Sequence, residues 1–113
     1  MNKTLIALSV ACLGMTLSAQ SMAASSTLET VKARGQLICG VNTAAPGFAS
    51  VDSKGNWTGL DVDVCRAVAA ATLGDASKVK FVPLSSPQRF TALQAGEIDM
   101  LARNTSWTMN RDT

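Results

Sequence analysis

Apolar positions are distributed along this chain in two ways. Between Leu5 and Leu17 they form one nearly unbroken run; from Leu28 onward, short apolar runs alternate with helical patterns. Ser26-Thr27-Leu28-Glu29 places a carboxylate three residues after a hydroxyl, which is capping-box spacing. The spacing predicts a helix over Thr27 to Arg34, closed by Gly35. Gln36 to Val41 is an apolar run of strand length. Ala44 to Ser50 contains Pro46-Gly47 and reads as a loop. Asp52-Ser53-Lys54-Gly55-Asn56 is a turn signal with Trp57 beyond it, so Val51 to Gly59 reads as a small hairpin or an irregular flap.

Asp61 is positioned to cap a helix running from Val62 through Leu73, with Gly74 closing it. Val62, Val64, Cys65, Val68, Ala69 and Ala71 make that helix apolar nearly all round, which predicts extensive burial against a sheet. Lys78 to Pro83 alternates polar and apolar residues with a period of two, the pattern of a strand. Ser86-Pro87 supplies a cap and a favoured first helical residue for a helix that ends at Gly96. Glu97 to Ala102 reads as a third strand, and Arg103 to Thr113 as the start of another loop. Strands alternating with helices imply βαβ units, hence an α/β fold with a parallel sheet.

The leading segment is not part of this fold. Lys3 precedes the apolar run, and Ser21 and Ala23 are small residues at the two positions that a signal peptidase reads. This predicts a signal peptide over residues 1–23, cleaved after Ala23. Residues 24–113 would then be exported, and they hold no second apolar stretch able to cross a bilayer.

Composition removes several function classes. The 10 Lys and Arg residues nearly balance the 8 Asp and Glu residues, so the basic footprint of a nucleic-acid binder is missing. There are no histidines in the 113 residues, which excludes Ser-His-Asp triads, Cys-His pairs and His-rich zinc sites. Cys39 and Cys65 are the cysteines of the exported part, and an even pair in an exported chain points to a disulfide. Asp61 and Asp63 open a helix, where carboxylates complement the dipole rather than catalyse. Trp57 and Trp107 read as packing residues, and Phe48 as either rim or core.

In an open α/β sheet a ligand binds beyond the carboxyl ends of the strands. Here those ends lead into three loops, 42–49, 84–88 and 103–110. Arg89, Arg103 and Arg111 lie in or beside them, and no Asp or Glu lies between Asp75 and Glu97 or between Asp99 and Asp112. Such cations beside Ser85, Ser86, Asn104, Thr105 and Ser106 suit a small anion, since a guanidinium grips a carboxylate with two parallel hydrogen bonds.

The stretch Gly55-Asn56-Trp57-Thr58-Gly59-Leu60-Asp61-Val62-Asp63 resembles the extracellular solute-binding proteins of polar amino-acid ABC transporters. The resemblance runs from about Leu28 to Thr113. Cys39-Gly40-Val41-Asn42-Thr43 and Arg103-Asn104-Thr105-Ser106-Trp107-Thr108-Met109-Asn110-Arg111 are similar to the general L-amino-acid subgroup.

The resemblance implies a type II periplasmic-binding-protein fold, with this chain forming the first half of lobe 1 as a parallel βαβαβ unit. Residues 24–113 would be an incomplete N-terminal lobe, with the second lobe absent from this chain. It further implies a monomeric periplasmic receptor, without catalytic residues, cofactor or metal, that binds free L-amino acids with broad specificity and delivers them to an ABC permease. By resemblance Arg111 clamps the ligand α-carboxylate, Asn104 and Ser106 donate to it, Thr105 belongs to the same ligand-binding set, and Asn42 lies near the ligand. Ala45 stands where many relatives carry a stacking aromatic. Half a clamshell is expected to bind amino acids weakly or not at all. The alternative is an exported enzyme on the same fold, such as a dehydratase or a peptidoglycan lyase.

Overall fold

The computed structural model describes residues 26–111, with the side chain of Arg111 outside that description. The expected signal peptide and its cleavage after Ala23 lie outside the described residues.

Helix α1 spans Thr27–Arg34; the Ser26 hydroxyl accepts from the Glu29 amide, as the capping spacing requires. Strand β1 (Leu37–Val41) follows and is the centre of a parallel sheet. On one side it pairs with β5 (Val79–Pro83), from Leu37 opposite Val79 to Val41 opposite Pro83. On the other it pairs with β6 (Met100–Leu101), Cys39 opposite Met100 and Gly40 opposite Leu101. The βαβ expectation is met, with helix α2 (Leu60–Leu73) joining the β1 region to β5 and α3 (Arg89–Gln94) joining β5 to β6.

Four sequence expectations are corrected. Ala44 to Ser50 is not merely a loop: it carries β2 (Ala44–Ala45) and the start of β3 (Ala49–Val51), which pair antiparallel and continue to β4 (Trp57–Thr58). The turn between β3 and β4 is locked by Asp52, whose carboxylate accepts from the Lys54 and Asn56 amides and the Asn56 side chain. Those bonds, the Asn56 side chain first, hold the Asp52 carboxyl below its ordinary pKa. Helix α2 is capped by Gly59 rather than Asp61, which falls inside its first turn. The Ser86-Pro87 pair sits in a turn, and α3 starts later, after Gln88, because the Ser86 hydroxyl is engaged by Arg103 instead of an α3 amide. The third strand shrinks from Glu97–Ala102 to Met100–Leu101, and the Glu97 amide donates to the Ala92 carbonyl at the end of α3 instead of to a β1 partner.

Helix α2 is also less enclosed than its composition predicts. Val62, Cys65 and Ala69 are buried, whereas Val64 is exposed, so one stripe faces the sheet. One core cluster is Cys39, Val41, Ala49, Val62 and Cys65, with Trp57, Phe81 and Met100 packed against it; a second is Val31, Leu37 and Ala69. Cys39 and Cys65 are joined by a disulfide that ties the central strand to α2. Trp57 meets the packing expectation: its ring lies 5.4 Å from that of Phe81, and Arg66 donates to its carbonyl. Trp107 does not, being 76% exposed, and Phe48 is a rim residue.

Asp99 was not visible in the sequence as a structural residue. Its buried carboxylate accepts from the Arg34 guanidinium and, at 2.7 Å, from the Ile38 amide, fastening α1 and the start of β1 to β6. Removing a buried partner leaves an amide unsatisfied and a cation unpaired, so Asp99→Ala is expected to cost about 2–4 kcal/mol. Urea unfolding checks this, and a cost under about 1 kcal/mol would defeat the assignment.

Candidate functional site

Parallel pairing brings the three strand ends to one edge. The ladder continues past the strands, with the Leu84 amide donating to Val41 and the Ala102 amide to Gly40. Asn42, Leu84 and Ala102 therefore leave the sheet side by side. Gly40 has no side chain because Ile98, Leu84 and Leu101 fill the space above it; an added Cβ would lie 2.7 Å from the first two.

The most elaborate of the three connections follows β6. Arg103 is buried, 9% exposed, and its Nη1 donates to Ser86 Oγ at 3.0 Å across the gap to the loop after β5. The Arg103 carbonyl accepts from Thr105 Oγ1 at 2.8 Å and from Arg89 Nη1 at 3.4 Å. Asn104 takes a left-handed conformation, φ 26°, and its amide donates to Asp61 Oδ2 at 3.3 Å. Asp61 thus steadies the loop from the first turn of α2, a role the capping pattern did not reveal.

Of the residues expected to form a site, Asn104, Thr105 and Ser106 come together as an exposed polar segment at the sheet edge. Asn42 stands on the same edge at the end of β1, but its Oδ1 accepts from the Thr43 and Ala44 amides at 2.8 and 3.2 Å. That oxygen shapes the turn into β2. Arg111 lies in a 3₁₀ turn, Met109–Arg111, that closes the same connection. A cleft of about 400 Å³ lies next to this edge, lined by Leu84, Pro87, Gln88, Thr91 and Glu97. Among the described residues no group of three or more acids or cysteines could hold a metal ion, and no helix is long and apolar enough to cross a membrane.

The profile of the bacterial extracellular solute-binding proteins, family 3, matches residues 37–113, which include every element of this edge. The chain belongs to that family. Its fold is that of the type II periplasmic binding proteins. It is 59% identical over 93 residues to the general L-amino acid-binding periplasmic protein AapJ of Rhizobium johnstonii, a match covering 82% of this chain and 27% of that one. It is 60% identical over 91 residues to the glutamate/glutamine/aspartate/asparagine-binding protein BztA of Rhodobacter capsulatus, covering 80% and 27%. Among solved structures it is similar to a periplasmic binding protein from Brucella ovis with glutathione bound, with a TM-score of 0.76 and 62% identity, covering 78% of this chain and 27% of that one. The family 3 chain described here therefore spans about a quarter of the length of these relatives.

Proposed function

We propose that this chain supplies the α-carboxylate-binding edge of a periplasmic receptor that binds free L-amino acids and delivers them to an ABC permease. One observation carries the reading. The family match and the polar connection after β6 fall on the same residues, and the relatives matched there are amino-acid-binding proteins. Arg111 takes the ligand carboxylate in a bidentate grip, and Asn104 and Ser106 donate to the same group, with Thr105 shaping the turn between them. Asn42 borders the ligand through its remaining amide group. The receptor acts as a monomer after export and removal of residues 1–23. It performs no chemistry, and no metal or cofactor enters.

Calorimetric titration with a panel of L-amino acids tests this, run on residues 24–113 and on the protein expressed from its full native reading frame. Binding by the latter is the expected result, with weak or no binding by residues 24–113. Absence of binding to every amino acid, together with turnover of a carboxylic substrate, would put the dehydratase or lyase alternative in its place. Within the full protein, Arg111→Met removes a charged hydrogen-bond partner and is expected to cost about 2–3 kcal/mol, roughly a 30- to 150-fold rise in Kd. Near-normal affinity in that variant defeats the carboxylate assignment.

A further inference from the structure

Two arginines of this fold have acid partners. Arg34 pairs with Asp99, and Arg66 pairs with Asp63 while its guanidinium lies over the Phe81 ring. Arg103 is different. It is nine-tenths buried, its Nε is enclosed without a hydrogen-bond partner, and one hydrogen bond, to Ser86, leaves the guanidinium. Among the described residues no carboxylate forms an ion pair with it. Asp61, the acid that reaches this loop, is engaged by the Asn104 amide, and Glu97 is exposed on the wall of the neighbouring cleft. Any ligand or further chain laid over this edge buries Arg103 more deeply. A guanidinium so enclosed is costly unless an anion comes to it.

We infer that Arg103 sets the charge preference of the ligand site: buried at the carboxyl end of β6 and tethered to Ser86, it favours ligands that bring a second carboxylate, the acidic L-amino acids, over neutral and cationic ones. The inference rests on the receptor reading above. Arg103 directly precedes Asn104, so its charge lies one to three residues from the groups proposed to hold the α-carboxylate. Those groups and Arg111 already satisfy that carboxylate. The free N–H groups of Arg103 are left for a different oxygen, and an acidic side chain carries one. A ligand ammonium or guanidinium brought to the same place meets like charge in a poorly solvated setting, where repulsion is strong.

The experiment compares L-glutamate, L-glutamine, L-alanine and L-lysine by calorimetry on the protein expressed from its native reading frame. Glutamate is expected to bind about tenfold more tightly than its neutral isostere glutamine, with lysine weaker than both. In Arg103→Gln the glutamate-to-glutamine ratio should fall to within about threefold while alanine affinity stays within about threefold of the parent, because the preference resides in a charged hydrogen bond. Arg103→Lys keeps the charge and should retain the preference. A parent ratio near one overturns the inference even if Arg103→Gln does not fold. So does an equal loss for all ligands in Arg103→Gln, since that marks a strut or a shared α-carboxylate contact. If the parent binds no amino acid at all, the receptor reading falls and this inference falls with it. Binding with an unchanged ratio removes this inference alone.

Discussion

Gly59→Ala is expected to destabilise the fold by about 3 kcal/mol or more, the largest effect of a methyl group added at any glycine among the described residues. Two costs combine there. Gly59 has φ 122°, a conformation that a residue with a Cβ rarely adopts and that costs on the order of 1–3 kcal/mol to impose. An added Cβ would also lie 2.3 Å from the Phe48 carbonyl oxygen and 2.5 Å from its carbon. Those are backbone atoms, so no rotamer change relieves the contact, and overpacking adds about 1–3 kcal/mol. The segment cannot retreat cheaply either. The Leu60 and Asp61 amides donate to Gly47 and Phe48, holding the start of α2 against the β2–β3 connection. Gly55→Ala is the control: it has a positive φ of 85° but open space around the position, so a cost of about 1 kcal/mol is expected. Urea unfolding of both variants separates strain from collision, and equal costs would show that the Phe48 contact is not decisive. Because Asp61 steadies Asn104, Gly59→Ala should also weaken ligand binding beyond its effect on stability.

Breaking the Cys39–Cys65 bond is the second large effect. The two residues are 26 positions apart, and both side chains are fully buried in the same cluster as Val41 and Val62. Closing a loop of that length contributes about 3–4 kcal/mol by restricting the unfolded chain. For a domain near this size, that corresponds to a fall in Tm on the order of 15 °C or more. The double variant Cys39→Ala/Cys65→Ala, or the reduced parent, should show the shift by circular dichroism. Two titratable thiols in denatured, unreduced protein would show instead that the pair is free and that its burial alone matters.

The order of elements was legible because each carries its own local signal. Ser26 and Glu29 mark the start of α1, and the Asp52 to Asn56 turn marks the β3–β4 hairpin; the structure realises both with short-range bonds. The disulfide was legible for a similar reason, since one cysteine pair in an exported chain leaves little choice. The start of α2 was misread because Asp61 has the chemistry of a cap, yet Gly59 takes that position through contacts with Phe48 across the β2–β3 connection. The third strand was overextended because the residue pattern does not show that the Glu97 amide is taken by Ala92 at the end of α3.

The candidate site divides in the same way. Sequence placed Asn104, Thr105 and Ser106 in the loop after the last strand, and parallel order alone then put that loop at the carboxyl edge of the sheet, where the ligand site is proposed. Arg89 and Arg103 looked alike as cations distant from acids in the sequence. The structure separates their roles by enclosing Arg103 against Ser86 and using its carbonyl to receive Arg89.

By itself the sequence determined the alternation of strands and helices, the cysteine pairing and the family. All of these depend on residue identity and on spacings within one turn or one strand. Tertiary structure decided which carboxylates are structural, which arginine is buried, and which glycine cannot be replaced. Those properties arise between residues far apart in the chain, such as Asp99 with Arg34 and Arg103 with Ser86. Their energies come from desolvation and close approach, which exist only once the sheet has brought its strand ends to one edge.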